Sequence, residues 1–290
     1  MLLLVLLTTL LAHAPLDVAK SAAILAGRHM VSRIGAQVID TKLDKADLVT
    51  AVDRECQEIV AREIQTAFPT HLMLGEESVP PGIDAAMDAL QARLLEIGAD
   101  DYLWIVDPID GTTNFVNSMP LSVVSIGIAH RGSRLGAVVY DPWRDELFCA
   151  WRGEGATLNG ERLRVSEVED LSDAVLCAPS PHSKQAQAPA LRSINALMPM
   201  ARSLRILGSG VLNFAWVACG RLSAYFEPEL APWDTAAGTL LVEEAGGIVT
   251  DMDGTPYELS TKAVLASSPG VHAELQRVLE DARAIRSDAI

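Results

Sequence analysis

The sequence predicts a mixed αβ protein (α+β) in which helices and two β-sheets pack in layers. Helical periodicity and strand-like runs alternate along the chain, and from Leu121 onward short strands separated by turn residues become frequent. The chain has 290 residues, of which 49% are hydrophobic, so it is long enough to bury a large core. That core could belong to one large domain or to two coupled ones.

The N-terminus is unusual because its first twelve residues, MLLLVLLTTLLA, are uncharged and strongly apolar. The run lacks a preceding basic segment and is shorter than the ~20 residues that cross a bilayer. We therefore expect an additional helix, or one end of the first helix, covering the core of a cytoplasmic protein without stable membrane association. The alternative is an organellar or secreted protein whose apolar start is a targeting segment, since Ala12-His13-Ala14 resembles a cleavage site.

The first clear amphipathic helix follows Thr50. Its apolar side chains recur every four residues from Val52 to Phe68, which is the spacing of one helical face, and Pro69 ends it. A break at residues 80–82 precedes a helix near residues 84–96 and a buried strand that ends at Val106.

The second half of the chain divides into short strands and later helices. The pattern of apolar and polar residues changes around residues 153–160, where Asn159-Gly160 predicts a tight turn. We place a boundary there, between an N-terminal α+β subdomain (1–152) and a C-terminal α/β subdomain (153–290). The remaining elements are expected as strands at 122–129, 136–140 and 146–151 and as helices near 209–219, 235–245 and 271–285.

Charge and cysteine content argue against several functions. The net charge is −15 and no cluster of Lys and Arg occurs, so nucleic acid is not an expected partner. The four cysteines and six histidines lack the spacing of a zinc site or a disulfide framework. An anionic substrate would need metal ions to bind here.

The segment VDPIDGTTNF places two acids directly after the apolar run. Pro108 and Gly111 are expected to hold the backbone in a turn, so that Asp107 and Asp110 converge while the Ile109 carbonyl points outward between them. The segment therefore predicts an oxygen-rich site for a cation.

Three further acids have both a functional and a structural interpretation. Asp53 stands at capping-box spacing from Thr50, so it could simply favour a helix start. Glu76 lies in GEES, which is also typical of a solvated turn. Asp234 begins a helix of small residues, where it could be an N-cap.

Together these acids predict magnesium and phosphate chemistry. Oxygen ligands without His or Cys select Mg²⁺, Mn²⁺ or Ca²⁺ over zinc, and Mg²⁺ is the commonest where phosphates are handled. A cluster of five carboxylates requires about two or more divalent cations, because like charges at close range raise one another's pKa. Two such ions suggest hydrolysis of a phosphate ester. The five acids are Asp53, Glu76, Asp107, Asp110 and Asp234.

This pattern resembles the inositol monophosphatase family of Mg²⁺-dependent, lithium-sensitive sugar-phosphate phosphatases. The resemblance begins near Leu16 and runs in order through DLVTAVD, GEES, WIVDPIDGTTNFV, GAVVYDPWRDEL, GEGATLNGERLRVS and APWDTAAG. It implies a five-layer αβαβα sandwich, as in inositol monophosphatase and fructose-1,6-bisphosphatase, with two or three Mg²⁺ ions between two subdomains. It also implies a homodimer.

The resemblance assigns the metal ligands by matching position. Glu76, Asp107 and the Ile109 carbonyl would hold the ion that activates water. Asp107, Asp110 and Asp234 would hold the second ion, and a third, weaker ion would rest on Glu76 and waters.

It also assigns catalytic and substrate-binding roles. Asp53 and Thr112 would orient the attacking water, with Glu76 acting through the first ion. Glu227 matches the glutamate that hydrogen-bonds substrate hydroxyls, and Gly210 falls where a backbone amide touches the sugar. The residues expected to contact substrate are Asp110, Gly111, Thr112, Gly210 and Glu227.

Substrate identity is left open by two departures from the family pattern, Asn117 in place of a frequent His and the poorly matching residues 177–189. A small polyol or sugar monophosphate is favoured by DGTTNF and Glu227, with inositol monophosphate as first choice. The alternatives are histidinol phosphate, galactose-1-phosphate, fructose-1,6-bisphosphate and 3′-phosphoadenosine 5′-phosphate.

Two competing functions remain. DMDGT at residues 251–255 matches the nucleophile motif of haloacid-dehalogenase-like phosphatases, in which Asp251 would attack phosphorus. Too little chain follows to complete that fold, so the motif is interpreted as a hairpin turn. The other is a catalytically silent metal- or anion-binding regulator, against which the intact Asp53 and Thr112 pair argues.

Overall fold

The computed structural model describes residues 2–35, 38–41, 48–181 and 183–284. Within these ranges the chain forms eight α-helices, two large sheets and a two-stranded ribbon. The helices are α1 (Leu2–Ser32), α2 (Ala51–Ala67), α3 (Ile83–Glu96), α4 (Thr112–Val116), α5 (Lys184–Leu197), α6 (Gly210–Ala218), α7 (Pro232–Glu244) and α8 (Pro269–Asp281).

The ribbon pairs β1 with β2, and the other strands form the two large sheets. The seven-stranded sheet has the order β3-β4-β5-β6-β7-β8-β9, antiparallel except for the β3–β4 pair, and the five-stranded sheet has the order β11-β10-β12-β14-β13. The strands are β1 (Val38–Thr41), β2 (Leu48–Thr50), β3 (Leu72–Gly75), β4 (Leu103–Asp110), β5 (Val123–His130), β6 (Ser133–Asp141), β7 (Glu146–Trp151), β8 (Gly155–Leu158), β9 (Glu161–Arg162), β10 (Val175–Cys177), β11 (Ser203–Arg205), β12 (Ala224–Glu227), β13 (Ile248–Asp251) and β14 (Val264–Ser267).

The elements stack as five layers, which confirms the expected αβαβα sandwich. Helices α1 and α2 cover one face of the large sheet, and α6 and α7 fill the space between its other face and the five-stranded sheet. Helices α5 and α8 cover the outer face of the five-stranded sheet. Each sheet is therefore buried on both faces, as continuous apolar runs such as that of β4 indicate.

Helix α2 forms as its sequence predicts. Thr50 caps it by accepting a hydrogen bond from the Val52 N–H at 3.1 Å, and the Asp53 carboxylate accepts the Thr50 N–H at 2.7 Å. The apolar face packs against β4 with Val60 and Ile64 buried. The capping box and the period of four thus act together to fix where this helix begins and which face it buries.

The apolar N-terminus is one end of the first helix. Helix α1 runs without interruption from Leu2 to Ser32, and its residues Ala19, Ala23 and Met30 are buried against the large sheet. Whether the first thirteen side chains cover the core lies outside the described side chains. No helix in the described ranges combines the length and the hydropathy of a bilayer-spanning segment.

Strand β4 differs from the sequence prediction because it ends at Asp110, not at Val106. Its pairing with β5 is regular through Asp107, becomes irregular at the next two residues, and resumes where Asp110 lies opposite Val123. The segment with Pro108 is therefore a bulged strand end instead of a turn. A bulge accommodates a proline, which cannot donate to the ladder, and redirects the neighbouring side chains.

The subdomain boundary at 152/153 remains a prediction. The strands β8 and β9 continue the large sheet as far as Arg162, so the first sheet extends ten residues beyond that boundary. The predicted helices near 209–219, 235–245 and 271–285 correspond to α6, α7 and α8, whereas α5 and the strands β1–β3 and β10–β12 were not predicted.

Candidate active site

A cavity of about 480 Å³ lies where β4 ends and where helices α4, α6 and α7 begin. Every predicted site residue except Asp53 lines this cavity. The predicted residues in its wall are Glu76, Asp107, Ile109, Asp110, Gly111, Thr112, Gly210, Glu227 and Asp234. The fold therefore brings together acids that are up to 158 positions apart in the sequence, from Glu76 to Asp234.

Three carboxylates in the cavity wall converge on one another. Asp107, Asp110 and Asp234 each contribute an oxygen, and these atoms lie within 4.8 Å of one another. The first two come from the bulged end of β4, and Asp234 lies in the first turn of α7, where its carboxylate accepts the Ala231 N–H at 2.7 Å. This set of hard oxygen donors fits Mg²⁺, Mn²⁺ or Ca²⁺.

The electrostatics of the cluster also suit a cation. Burial, followed by the charges of Glu76, Asp110 and Asp234, holds the pKa of Asp107 well above its usual range. A hydrogen bond with Glu76 acts in the same direction, so that residue also lies beside Asp107. Nearby divalent charge would favour the ionised carboxylates and so oppose this repulsion.

Asp110 also anchors helix α6. Its carboxylate accepts hydrogen bonds from the Ser209 hydroxyl, from the Gly210 N–H at 3.1 Å and from the Val211 N–H at 2.9 Å. A negative charge is favourable at a helix N-terminus, and these donors oppose the effect of burial, which raises the pKa of Asp110 to about 6. The Gly210 amide thus has a protein acceptor here, and its contact with a sugar stays a prediction.

The Asp53 carboxylate connects the α2 cap to the cavity. One oxygen accepts from the backbone and side chain of Thr50, at 2.7 and 2.6 Å. The other lies 3.2 Å from the Thr112 hydroxyl, which is also 3.0 Å from the Ile109 carbonyl. Asp53 therefore caps α2 with one oxygen and contacts Thr112 with the other, and its role in orienting water stays a prediction.

The loop after β4 needs a glycine. Gly111 has φ +85, and a Cβ there would come within 2.7 Å of the Leu121 carbonyl oxygen. Helix α4 that follows has only five residues, so its dipole is small. A phosphate role for the Gly111 and Thr112 amides stays a prediction.

Asn114 was not predicted from the sequence to take part in the site. It is buried, and its amide nitrogen donates to the Leu121 carbonyl at 2.8 Å and to the Leu207 carbonyl at 2.7 Å. It thereby ties the loop after β4 to the loop before α6. The sequence offered no clear signal for this role, because Asn114 lies among the polar residues Thr112, Thr113 and Asn117.

Glu227 lies at the C-terminal end of β12 and is only 5% exposed. Its Oε2 accepts the Ser180 N–H at 2.9 Å and the Tyr225 hydroxyl at 3.2 Å, whereas its buried Oε1 has no partner among the described residues. Burial raises the pKa of this carboxyl to about 8. This oxygen is enclosed by protein atoms without a donor in the part of the chain that the structure describes, which adds to the cost of ionising the carboxyl.

Glu227→Gln should change how stability depends on pH in the metal-free protein. Because the pKa rises from 4.5 to about 8 on folding, the contribution of Glu227 to stability is complete below about pH 4.5 and is lost as the pH rises towards 8. Glutamine is uncharged throughout and avoids that loss. Urea unfolding at about pH 5 and about pH 8 should show the wild type losing more than ~1 kcal/mol relative to the variant. Parallel pH profiles would contradict the assigned environment.

The competing motif DMDGT lies away from the cavity. Neither Asp251 nor Asp253 is among its lining residues. The Gly254 N–H donates to the Asp251 carbonyl at 2.9 Å, which closes a tight turn inside the longer connection between β13 and β14. The observed turn agrees with the structural interpretation of this motif.

Comparisons with known proteins agree with this geometry. The sequence profile of the Inositol monophosphatase family matches residues 13–286. The Nus factor SuhB of Vibrio cholerae is 37% identical over 273 residues, covering 93% of this chain and 97% of that protein. The Inositol-1-monophosphatase of Rhizobium meliloti is 36% identical over 271 residues, covering 92% and 96%.

A solved structure of a related protein has the same fold as this chain. The crystal structure of the extragenic suppressor protein suhB from Bartonella henselae matches with a TM-score of 0.82 at 35% identity, over 92% of this chain and 98% of that chain. Sequence, fold and the arrangement of acids therefore agree, and the chain belongs to the inositol monophosphatase family.

Proposed function

We propose that the protein is a Mg²⁺-dependent phosphatase that hydrolyses a small polyol or sugar monophosphate, with inositol monophosphate as first choice. The observation that carries this proposal is the convergence of Asp107, Asp110 and Asp234 beside the hydrogen-bonded pair of Asp53 and Thr112. A protein that only binds a metal or an anion has no use for that pair.

The ligands for two ions are available in the cavity wall. One ion would be held by Glu76, Asp107 and the Ile109 carbonyl, and the other by Asp107, Asp110 and Asp234. When bound, Mg²⁺ supplies the positive charge that acidifies water and stabilises the charge of a phosphate in the transition state.

The chain's own groups would position the reactants. The Thr112 hydroxyl can donate to only one acceptor at a time, and it has two, the Asp53 carboxylate and the Ile109 carbonyl. When it donates to Asp53, its oxygen lone pairs remain available to accept a hydrogen bond from a water in the cavity, which would orient that water. The Gly111 and Thr112 amides would hold phosphate oxygens, and Glu227 would accept a hydrogen bond from a substrate hydroxyl.

Phosphate release from inositol-1-phosphate, with and without Mg²⁺, tests the proposal. The panel includes galactose-1-phosphate, histidinol phosphate and 3′-phosphoadenosine 5′-phosphate. We expect Mg²⁺-dependent release from inositol-1-phosphate that lithium inhibits. No release from any ester would favour a catalytically silent regulator. Sedimentation of the same preparation tests the expected homodimer.

Replacing Thr112 should separate water orientation from metal binding. Thr112→Ala removes the hydroxyl beside Asp53, so kcat should fall roughly 10²-fold, the lower end of what a positioned proton-transfer group contributes. Thr112→Ser is the matched control and should keep most of the activity, because it keeps the hydroxyl. Mg²⁺ titrations of both variants should resemble the wild type. An alanine variant with undiminished kcat would contradict the role.

A further inference from the structure

The turn that contains Glu76 has little support of its own. It is a single 3₁₀ turn, Glu76–Ser78, in which none of the three residues is buried and whose start at Gly75 no side chain caps. Strand β3 is paired with β4 as far as Gly75, which lies opposite Val106, and the chain then leaves the sheet. Because a short 3₁₀ turn has poorer hydrogen-bond geometry than an α-helix, contacts with a neighbouring element decide where its side chains point.

Gln57 of helix α2 supplies such a contact. Its Oε1 accepts the Glu77 N–H at 2.9 Å, and its Nε2 donates to the Ser78 hydroxyl at 2.9 Å. A backbone N–H can only donate, so the amide oxygen has to face Glu77, which determines the orientation of the side chain. Gln57 is buried, with 9% of its surface exposed, so its amide is largely shielded from water. One side chain therefore holds both residues that follow Glu76.

Gly75 allows α2 and the turn to approach this closely. A Cβ at Gly75 would come within 2.6 Å of the Gln57 Cδ, so any larger residue would displace the amide. The backbone of Gly75 has φ −106, which other residues adopt without strain. The glycine is therefore needed here for space, and the space that it leaves is filled by the Gln57 amide.

Helix α2 contacts two parts of the site with one face. Gln57 follows Asp53 by four residues, about one helical turn, so the two side chains lie on the same side of the helix. Asp53 lies 3.2 Å from the Thr112 hydroxyl, and Gln57 holds the 3₁₀ turn. The Glu76 carboxylate in turn forms a hydrogen bond with Asp107. The helix thus sets the position of Glu76 relative to Asp53.

We propose that Gln57 is a positioning residue for Glu76. It holds the 3₁₀ turn in the orientation that directs the Glu76 carboxylate towards Asp107, and so determines how tightly the ion assigned to these two acids binds. The inference rests on the proposed function and adds a residue to its metal site. Gln57 is not part of the cavity wall, so its effect on metal binding passes through Glu76.

Gln57→Met keeps the length of the side chain and removes both hydrogen bonds. In the metal-free protein, amide hydrogen exchange in residues 75–79 should become faster, because the Glu77 N–H loses its acceptor. Calorimetry should show Mg²⁺ binding weakened about tenfold, which corresponds to the loss of two hydrogen bonds of ordinary strength. Gln65→Met, at an exposed position of the same helix, is the matched control and should change neither result.

A double-mutant cycle shows whether the effect passes through Glu76. In a Glu76→Gln background, which keeps the three converging aspartates, Gln57→Met should change the remaining Mg²⁺ binding by less than about twofold. Equal weakening in both backgrounds would overturn the inference, and so would a Gln57→Met variant that binds Mg²⁺ like the wild type. Ser78→Ala, which removes only one of the two bonds, should weaken binding about threefold and keeps the test available if Gln57→Met does not fold.

These binding measurements need no substrate, so the inference and the proposed function can fail separately. If the wild type binds Mg²⁺ but hydrolyses no ester, the proposed function fails, and the cycle still decides the role of Gln57. If the wild type hydrolyses inositol-1-phosphate while Gln57→Met binds Mg²⁺ equally tightly, only the inference fails. A wild type that binds no Mg²⁺ would overturn both.

Discussion

Asp107→Asn should reduce kcat by roughly 10³-fold or more even at saturating Mg²⁺. Asp107 is the acid that interacts with Glu76, Asp110 and Asp234 alike, and in the assignment above it contributes to both ions. The amide has the same shape but no charge, so both ions would lose a charged ligand. A loss of about 4 kcal/mol in transition-state stabilisation, within the several kcal/mol that bound metals supply, corresponds to that factor.

Activity, Mg²⁺ titration calorimetry and thermal unfolding together check this result. The variant should bind Mg²⁺ more weakly, and without metal its melting temperature should equal or exceed that of the wild type, because a buried carboxyl repelled by three neighbours is removed. Asp251→Asn is the matched control and should remain active. If Asp251→Asn were inactive and Asp107→Asn active, the aspartyl-nucleophile mechanism would replace the one proposed here.

Phe214→Ala should lower the free energy of unfolding by about 3–5 kcal/mol. Phe214 belongs to α6 in the layer between the two sheets, is fully buried, and packs edge-on against the Tyr225 ring with centroids 4.9 Å apart. Helix α7 lies so close that a Cβ at Gly238 would come within 2.6 Å of the Phe214 Cβ. The helices are already in contact there, so they cannot close the space that the ring leaves.

Urea unfolding at fixed Mg²⁺ concentration measures the change. Leu25→Ala on α1 is the control, since Leu25 is 46% exposed and should lose less than about 1 kcal/mol. A similar small loss for Phe214→Ala would show that the layer between the sheets can collapse around a missing ring, contrary to the close packing described here.

The elements predicted best are those with local causes. Helix α2 begins at its Thr50 cap and follows a period of four because capping and amphipathicity involve residues within a few positions of one another. Asp107 and Asp110 were predicted because carboxylates directly after an apolar run are unusual whatever the fold, whereas the roles of Glu76, Asp234 and Glu227 came from the family resemblance.

Elements whose formation depends on partners far away along the chain were predicted less accurately. The extension of β4 to Asp110 depends on pairing with β5, and β10 is a three-residue strand between two partners from later in the chain. Helix α5 begins within residues 177–189, where the sequence departs from the family pattern. No clear apolar face in this segment predicted the helix. Strand pairing and helix docking are decided by long-range contacts, which local patterns do not contain.

The sequence by itself determined the family, the layered αβ class and the acids that meet in the cavity, because each depends on which residue types occur in which order. Only the tertiary structure decided how each carboxylate is used. Asp110 anchors a helix that starts a hundred positions later, and Asp53 divides its oxygens between a cap and Thr112. Hydrogen bonds have a range of about 3 Å and take no account of separation along the chain, so these pairings exist only once the layers have packed.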